Sequence, residues 1–153
     1  MSPCGPGRPG IMTTAPAVSR KLFVNLPVRD LPRSIEFFTR LGFRFNPAFT
    51  DASTTCMILS EEAFVMLLVR DRFKDFTSKQ ICDTSTATEG LFALTAANRA
   101  EVDELVHLAI AAGGTHAQPP QDHGYMYAWS FYDLDGHHWE VFYTDPSAIP
   151  PQQ

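Results

Sequence analysis

The stretch Tyr125–Tyr143, YMYAWSFYDLDGHHWEVFY, decides the fold of this chain. Its two aromatic-rich runs flank the turn sequence Asp-Leu-Asp-Gly, and Asp-Gly between alternating runs is the strongest short-range signal of a β-hairpin. Because side chains alternate along a strand, His138, Glu140 and Phe142 should share one face. A carboxylate among aromatic side chains needs a charged, hydrogen-bonded or metal partner. Glu140 is therefore the first candidate functional residue.

Outward from this hairpin, the chain repeats one βαβββ unit. In each copy a strand leads to a capped helix that ends at glycine, with Asp30 and Asn98 as the N-caps. Two copies of one unit predict an α+β fold, in which the modules form a curled mixed sheet around a cavity. The predicted strands are 22–28, 43–49, 54–59 and 64–69 in the first copy, and 91–96, 115–117, 125–132 and 138–143 in the second.

The repeat also sets the domain boundaries. A single domain should cover residues 21–146, with modules at 21–69 and 91–143 and a linker at 70–90. The linker is longer than the ~4 to 6 residues of most connections, so we expect either a lid or a surface loop with a short helix. Residues 1–20 are rich in Pro and Gly without periodicity, which predicts a disordered leader, and residues 147–153 should form a tail.

Composition excludes several classes of protein. The net charge of -5 leaves no basic stripe for nucleic acid, and no apolar run approaches the ~20 residues that span a membrane. The three cysteines are widely spaced and form no C-x-x-C pair, which argues against a zinc finger and favours a reducing, cytoplasmic location. We therefore expect a cytoplasmic protein with a small-molecule partner.

The chain contains the motifs VxDLxxSxxFFxxLGF, from Val28, and DxDGHxWEV, from Asp133. With these motifs and the repeated unit, the chain resembles members of the vicinal oxygen chelate superfamily. This superfamily contains glyoxalases, extradiol dioxygenases and bleomycin-resistance proteins. The resemblance covers about residues 21–146 and implies the two-module fold. It also implies a homodimer, since members of the family commonly pair their modules across two chains. It does not specify a reaction, because one fold hosts many chemistries.

The resemblance further implies a divalent metal held by His and Glu side chains, and this chain departs from that pattern. The four family positions fall at Phe23, Met66, Leu91 and Glu140, and only Glu140 can bind a hard cation. We therefore expect no cofactor. A divalent metal at a rearranged site of Glu140, His138 and His123 remains the alternative, while His137, just after the turn, should face solvent.

Strand alternation defines the expected binding site. We expect a mostly apolar pocket between the modules, which is the usual composition of a small-molecule site. The simpler alternative is that these side chains only fill a core. The predicted ligand-binding residues are Phe23, Asn25, Phe64, Met66, Leu91, Tyr127, Trp129 and Phe142.

Two classes of function follow. In the first, the protein binds an apolar or aromatic small molecule without metal, and Glu140 recognises a cationic or hydrogen-bond-donating group. In the second, it is a lyase-like or dioxygenase-like enzyme in which Glu140 and His138 act as general acid and base, or support a nonstandard metal.

Overall fold

The computed structural model describes residues 14–148. The α+β class with two βαβββ modules is confirmed, and the strands form two separate mixed sheets that are not closed into a barrel. The predicted leader and tail lie partly outside the described residues. Residues 14–20 are exposed and belong to no helix or strand.

The first module forms a four-stranded sheet in the order β1-β4-β3-β2. β1 pairs parallel to β4, and the other neighbours are antiparallel. The second module has the order β5-β9-β8-β6, with a short β7 also paired to β8. The elements are β1 (Leu22–Val28), α1 (Leu31–Arg40), β2 (Arg44–Asn46), β3 (Thr54–Ile58), β4 (Ala63–Val69), α2 (Arg70–Phe73), β5 (Leu91–Thr95), α3 (Arg99–Ala111), β6 (Thr115–His116), β7 (Gln121–Asp122), β8 (Met126–Tyr132) and β9 (His138–Thr144).

The two long helices begin and end where local chemistry dictates. The Asp30 carboxylate accepts the Arg33 N–H at 3.1 Å, which satisfies one of the free donors at the start of α1. Asn98 caps α3 in the same way through the Glu101 N–H at 2.8 Å. The Glu101 carboxylate then reaches back to the Ala97 N–H at 2.7 Å, one residue earlier than in a standard capping box.

One predicted strand is much shorter than expected. The run 43–49 is a strand only over Arg44–Asn46, and Pro47–Phe49 forms a single turn of 3-10 helix. The Asn46 side chain accepts the Ala48 N–H at 2.9 Å, so local side-chain bonding competes with strand pairing at this point. β7 was not predicted, because two residues carry no periodic signal.

One hydrophobic core joins the modules. α1 contacts β3 and β4 of its own sheet, and it also contacts α3. Its Phe38 ring lies edge-on to Trp139 of β9, with the centroids 5.4 Å apart, and Phe37 lies 6.2 Å from Phe131 of β8. The helix-facing side of each sheet is therefore buried against a shared helical layer, and the opposite side of each sheet points away from this core.

The linker, residues 70–90, begins with α2 and a turn of 3-10 helix at Lys74–Phe76. Its second half packs on the turn between β8 and β9. There the Thr84 hydroxyl donates to the Asp135 carbonyl, and the Glu89 carboxylate reaches His137 at 2.9 Å. The linker is therefore bonded to the turn that immediately precedes β9.

Candidate functional site

The first candidate surface is the side of β1 and β4 that points away from the core. Strand register places Phe23 beside Phe64 and Asn25 beside Met66. The two phenylalanine rings are stacked, with centroids 4.7 Å apart and planes 16° from parallel. Phe23 is 47% exposed, although apolar rings of this size are usually covered. We call these four residues the aromatic face.

The second candidate surface is the corresponding side of β5 and β9. Register places Leu91 beside His138 and Ala93 beside Glu140, and Phe142 follows on the same side. Leu91 is 62% exposed. We call these five residues the acidic face, after Glu140.

His138 and Glu140 form a hydrogen-bonded pair. The His138 Nε2 and the Glu140 Oε2 are 2.6 Å apart, and the ring of Tyr132 lies edge-on to His138 at 5.3 Å. The Glu140 side chain keeps 29% of its surface exposed, so a ligand can still reach the carboxylate. A carboxylate that orients an imidazole is the arrangement found in general acid–base pairs, and it also suits recognition of a hydrogen-bond donor.

Two residues predicted to bind ligand, Tyr127 and Trp129, do not lie on the acidic face. Tyr127 pairs with Tyr143 and Trp129 with Val141, which places both on the helix side of β8. The Tyr127 hydroxyl donates to Asp103 of α3 at 2.6 Å, and this bond together with burial raises the pKa of Tyr127 to about 12. A one-residue difference in register moves every side chain of a strand to the other face. The residues on the open side of β8 are Met126, Ala128, Ser130 and Tyr132.

The expectation that His137 faces solvent is also wrong. Only 1% of its surface is exposed. Its Nδ1 lies 2.9 Å from the Glu89 carboxylate and its Nε2 lies 2.7 Å from the Pro27 carbonyl. Both partners can only accept, so both ring nitrogens must carry a proton and the side chain is an imidazolium. The sequence analysis missed this partner because Glu89 lies 48 residues before His137 in the chain.

Charge around His137 supports this protonation state. Burial disfavours the imidazolium, but the charge of Asp133, the Pro27 carbonyl and the charge of Glu89 outweigh burial and raise the pKa of His137. Burial raises the pKa of Asp133 as well, and the charge of His137 opposes that shift. We assign an ionised Asp133 facing a charged His137, because the carboxylate accepts three N–H groups.

By accepting these three N–H groups, Asp133 fixes the conformation of the turn between β8 and β9. Its Oδ1 accepts the backbone N–H groups of Asp135 at 2.9 Å and His137 at 3.0 Å, and its Oδ2 accepts the Trp139 indole N–H at 2.9 Å. The Asp135 carboxylate in turn accepts the Arg29 N–H at 2.8 Å. This network positions the first residues of β9 and therefore the His138–Glu140 pair.

The residues present do not fit the divalent metal that the fold family implies. Three of the four corresponding positions are Phe23, Met66 and Leu91, which offer no hard ligand. Within residues 14–148, no group of three or more His, Cys, Asp or Glu side chains is arranged to hold a metal ion. The alternative site of Glu140, His138 and His123 is therefore not assembled in this structure.

Comparisons with known proteins agree with this fold. The sequence model of the bleomycin resistance protein-like N-terminal family matches residues 20–60. No curated protein matches the sequence. In the described residues, no helix combines the length and apolar character that a membrane crossing requires.

Solved structures extend the similarity to both modules. A hypothetical protein from S. aureus is 29% identical, with a TM-score of 0.69 over 82% of this chain and 94% of that one. A glyoxalase/bleomycin resistance protein/dioxygenase family enzyme from Burkholderia phytofirmans is 18% identical, with a TM-score of 0.66 over 80% and 96%. TioX from Micromonospora is 22% identical, with a TM-score of 0.58 over 81% and 98%. These findings confirm the resemblance inferred from the sequence.

Proposed function

Because this chain has the fold of the vicinal oxygen chelate superfamily and its first module matches the bleomycin-resistance-like family, we propose that it binds a small apolar or aromatic molecule without a metal. The aromatic face supplies a stacking surface, and the acidic face supplies the His138–Glu140 pair. The two described cysteines, Cys56 and Cys82, are free thiols, which supports our placing the protein in the reducing cytoplasm.

The observation that carries the proposal is the exposed Phe23–Phe64 stack. Stacked aromatic pairs are stabilising, but leaving apolar rings in water forgoes ~25 cal/mol per Å² of the free energy that their burial would provide. An aromatic ligand would recover that energy. Asn25 and Glu140 would give such a ligand direction, since a few polar groups in an apolar site set orientation.

A ligand screen by thermal shift tests this function. An aromatic compound at 100 times its Kd should stabilise the protein by about 2.7 kcal/mol. Phe64→Ala should abolish that shift, and Glu140→Gln should weaken binding of the best compound by about tenfold or more, since hydrogen bonds to charged groups are worth roughly 1.5 to 3 kcal/mol. Phe76→Ala is the control, because the Phe76 ring lies in the linker and is 67% exposed. This variant should change neither the thermal shift nor the affinity for the best compound. Equal binding to all three variants would refute the proposed site.

We further propose that the active form is a homodimer. In one chain both faces point away from the shared core, so a second copy is needed to enclose a ligand. β1 and β5 each end a sheet, which leaves one edge of each strand free for a partner. Pairing of the aromatic face with the acidic face of a second copy would bury both.

Light scattering at tens of micromolar should therefore give the mass of two chains. Leu91→Lys, at the free edge strand β5, should shift the protein to monomer, because a buried lysine at the interface is unfavourable. Phe49→Lys is the matched control, since Phe49 is 58% exposed and follows β2 at the opposite end of its sheet. A monomeric wild-type chain would contradict the dimer.

The expected absence of a bound metal is tested by measuring the metal content of the purified protein. Protein purified without chelator should carry well under one equivalent of Zn, Ni, Fe, Mn or Co, because the positions of the family ligands are mostly apolar. Elemental analysis is sufficient. Near-stoichiometric metal that disappears in Glu140→Ala would overturn this part.

An enzyme is the second candidate function, and the 2.6 Å bond between His138 and Glu140 favours it. In a lyase-like reaction Glu140 would orient the imidazole, and His138 would move a proton to or from the substrate. Turnover that survives chelation and is lost in His138→Gln would favour this candidate over a binding protein.

A further inference from the structure

A pocket of about 410 Å³ lies between the linker and the Tyr132 end of β8 and has no assigned role. One wall is residues 84–88 of the linker, and the opposite side is formed by β6 and β8 next to the turn glycine, Gly136. Its volume falls within the range of small-molecule sites. The Tyr132 ring connects this pocket to the His138–Glu140 pair, because it lines the pocket and packs edge-on against the His138 ring, with the centroids 5.3 Å apart.

Hydroxyl groups dominate the lining, and no residue that lines this pocket is charged. A site of this composition cannot neutralise an ionised ligand, and desolvating such a ligand here would be costly. The hydroxyl-bearing residues are Thr84, Ser85, Thr86, Thr88, Thr115 and Tyr132.

The linker hydroxyls are already oriented. Thr84 donates its proton to the Asp135 carbonyl, Ser85 donates to the Asp83 carboxylate at 2.6 Å, and Thr86 donates to the Asp83 carbonyl at 3.4 Å. With their protons used within the protein, their remaining lone pairs can only accept. The Ser85 bonds hold the pKa of Asp83 below its usual value, which keeps this carboxylate ionised and able to accept the Ser85 proton.

The wall is also held in place before any ligand arrives. Thr84 is bonded to Asp135 at one end of the segment, and Glu89 is bonded to His137 just beyond the other. At Gly136 the backbone runs so close that an added Cβ would lie 3.0 Å from the Thr84 oxygen atoms. A preorganised wall lowers the entropy lost on binding.

We propose that this pocket binds an uncharged, hydroxyl-rich group, a sugar ring or another polyol. Such a group supplies several O–H donors to the fixed acceptors and can also accept from Thr88, Thr115 and Tyr132. The inference deepens the proposed function, since one molecule could place its apolar part on the acidic face and its polyol part here. It therefore predicts a glycosylated or polyol-bearing aromatic ligand.

The test is an amide NMR titration of the full chain with methyl β-glucoside, and with glucuronate as the anionic counterpart. The neutral sugar should shift the amide signals of residues 84–88 and Thr115 with a millimolar Kd, and glucuronate should bind at least ~10-fold more weakly, a difference of about 1.4 kcal/mol. Absence of localised shifts up to high millimolar sugar would overturn the proposal, as would equal binding of the two sugars.

A variant pair makes the assignment specific. Thr88→Val with Thr115→Val removes two hydroxyls from exposed positions and keeps the shape of each side chain, so folding should be unaffected. Binding of methyl β-glucoside should fall at least tenfold, whereas Thr39→Val on α1 should leave it unchanged. Undiminished binding in the double variant would refute the site. If the aromatic compounds bind and the sugar does not, the assignment of this pocket fails and the proposed function stands. If only the sugar binds, the pocket assignment stands and the proposed binding of an aromatic molecule fails.

Discussion

Replacing His137 by glutamine is expected to lower the free energy of unfolding by roughly 3 to 5 kcal/mol, the range observed when one partner of a buried charge pair is removed. Glutamine can donate to Glu89 or to the Pro27 carbonyl but not bridge both as the imidazolium does, and it leaves the charge of Asp133 without a cation. The measurement is the denaturant midpoint of the variant and the wild type, with the slope checked for two-state unfolding.

The pH dependence of the difference in unfolding free energy between the wild type and His137→Gln identifies the charge state of folded His137. A group whose pKa is raised on folding contributes stability that is fully present below its unfolded pKa and is lost as the pH rises through its folded pKa. The wild-type advantage should therefore be greatest below the unfolded pKa of ~6.5 and should shrink as the pH rises through the raised folded pKa. A wild-type advantage that instead grew as the pH rose through the unfolded pKa would show that folded His137 is neutral, because only the unfolded histidine would then bind a proton.

His123→Gln is the matched control for this variant. His123 is exposed in the loop before β8, and its backbone N–H, not its ring, makes the bond to the Met126 carbonyl at 2.8 Å. The same chemical change at that position should alter stability by no more than ~0.5 kcal/mol, as is usual for surface substitutions.

Gly136→Ala is expected to cost roughly 2 to 5 kcal/mol, through two separable effects. Gly136 has φ +83°, where an L side chain costs about 1 to 2 kcal/mol. Its Cβ would in addition lie 3.0 Å from the carbonyl and hydroxyl oxygens of Thr84, and overpacking of this kind costs about 1 to 3 kcal/mol. Thermal or denaturant unfolding measures the sum.

Gly124→Ala separates the two effects. Gly124 has φ +82°, and nothing lies within 4 Å of an added Cβ. It should therefore show only the backbone cost. If Gly136→Ala proved no worse than Gly124→Ala, the linker would not be held against the turn, and the preorganised wall of the hydroxyl-lined pocket would have to be abandoned.

Gly136 and His137 belong to the same turn, which immediately precedes the candidate site on β9. Asp133, His137 and Gly136 fasten β1 and the linker to the start of β9. Variants that weaken this turn should disturb the His138–Glu140 pair at the start of β9, even though the substituted residues touch no ligand. A loss of ligand binding in His137→Gln at a pH where the protein remains folded is thus the expected secondary result.

Local sequence determined the repeated βαβββ order, the caps at Asp30 and Asn98, and the hairpin turn. These features depend on a few neighbouring residues: an N-cap side chain bonds an N–H three positions away, and Asp-Gly suits a tight turn. The sharing of one strand face by His138 and Glu140 follows from the same local periodicity, and register places both on the acidic face.

Only the tertiary structure decided the faces of β8 and the fate of His137. The aromatic residues of β8 alternate with small or flexible ones, but alternation alone cannot say which side meets a helix, and α3 covers the side of Tyr127 and Trp129. His137 is buried because Glu89 and Pro27, 48 and 110 residues away, supply its two acceptors. Long-range partners of this kind leave no periodic trace in the chain, whereas the local bonds that form strands, caps and turns do.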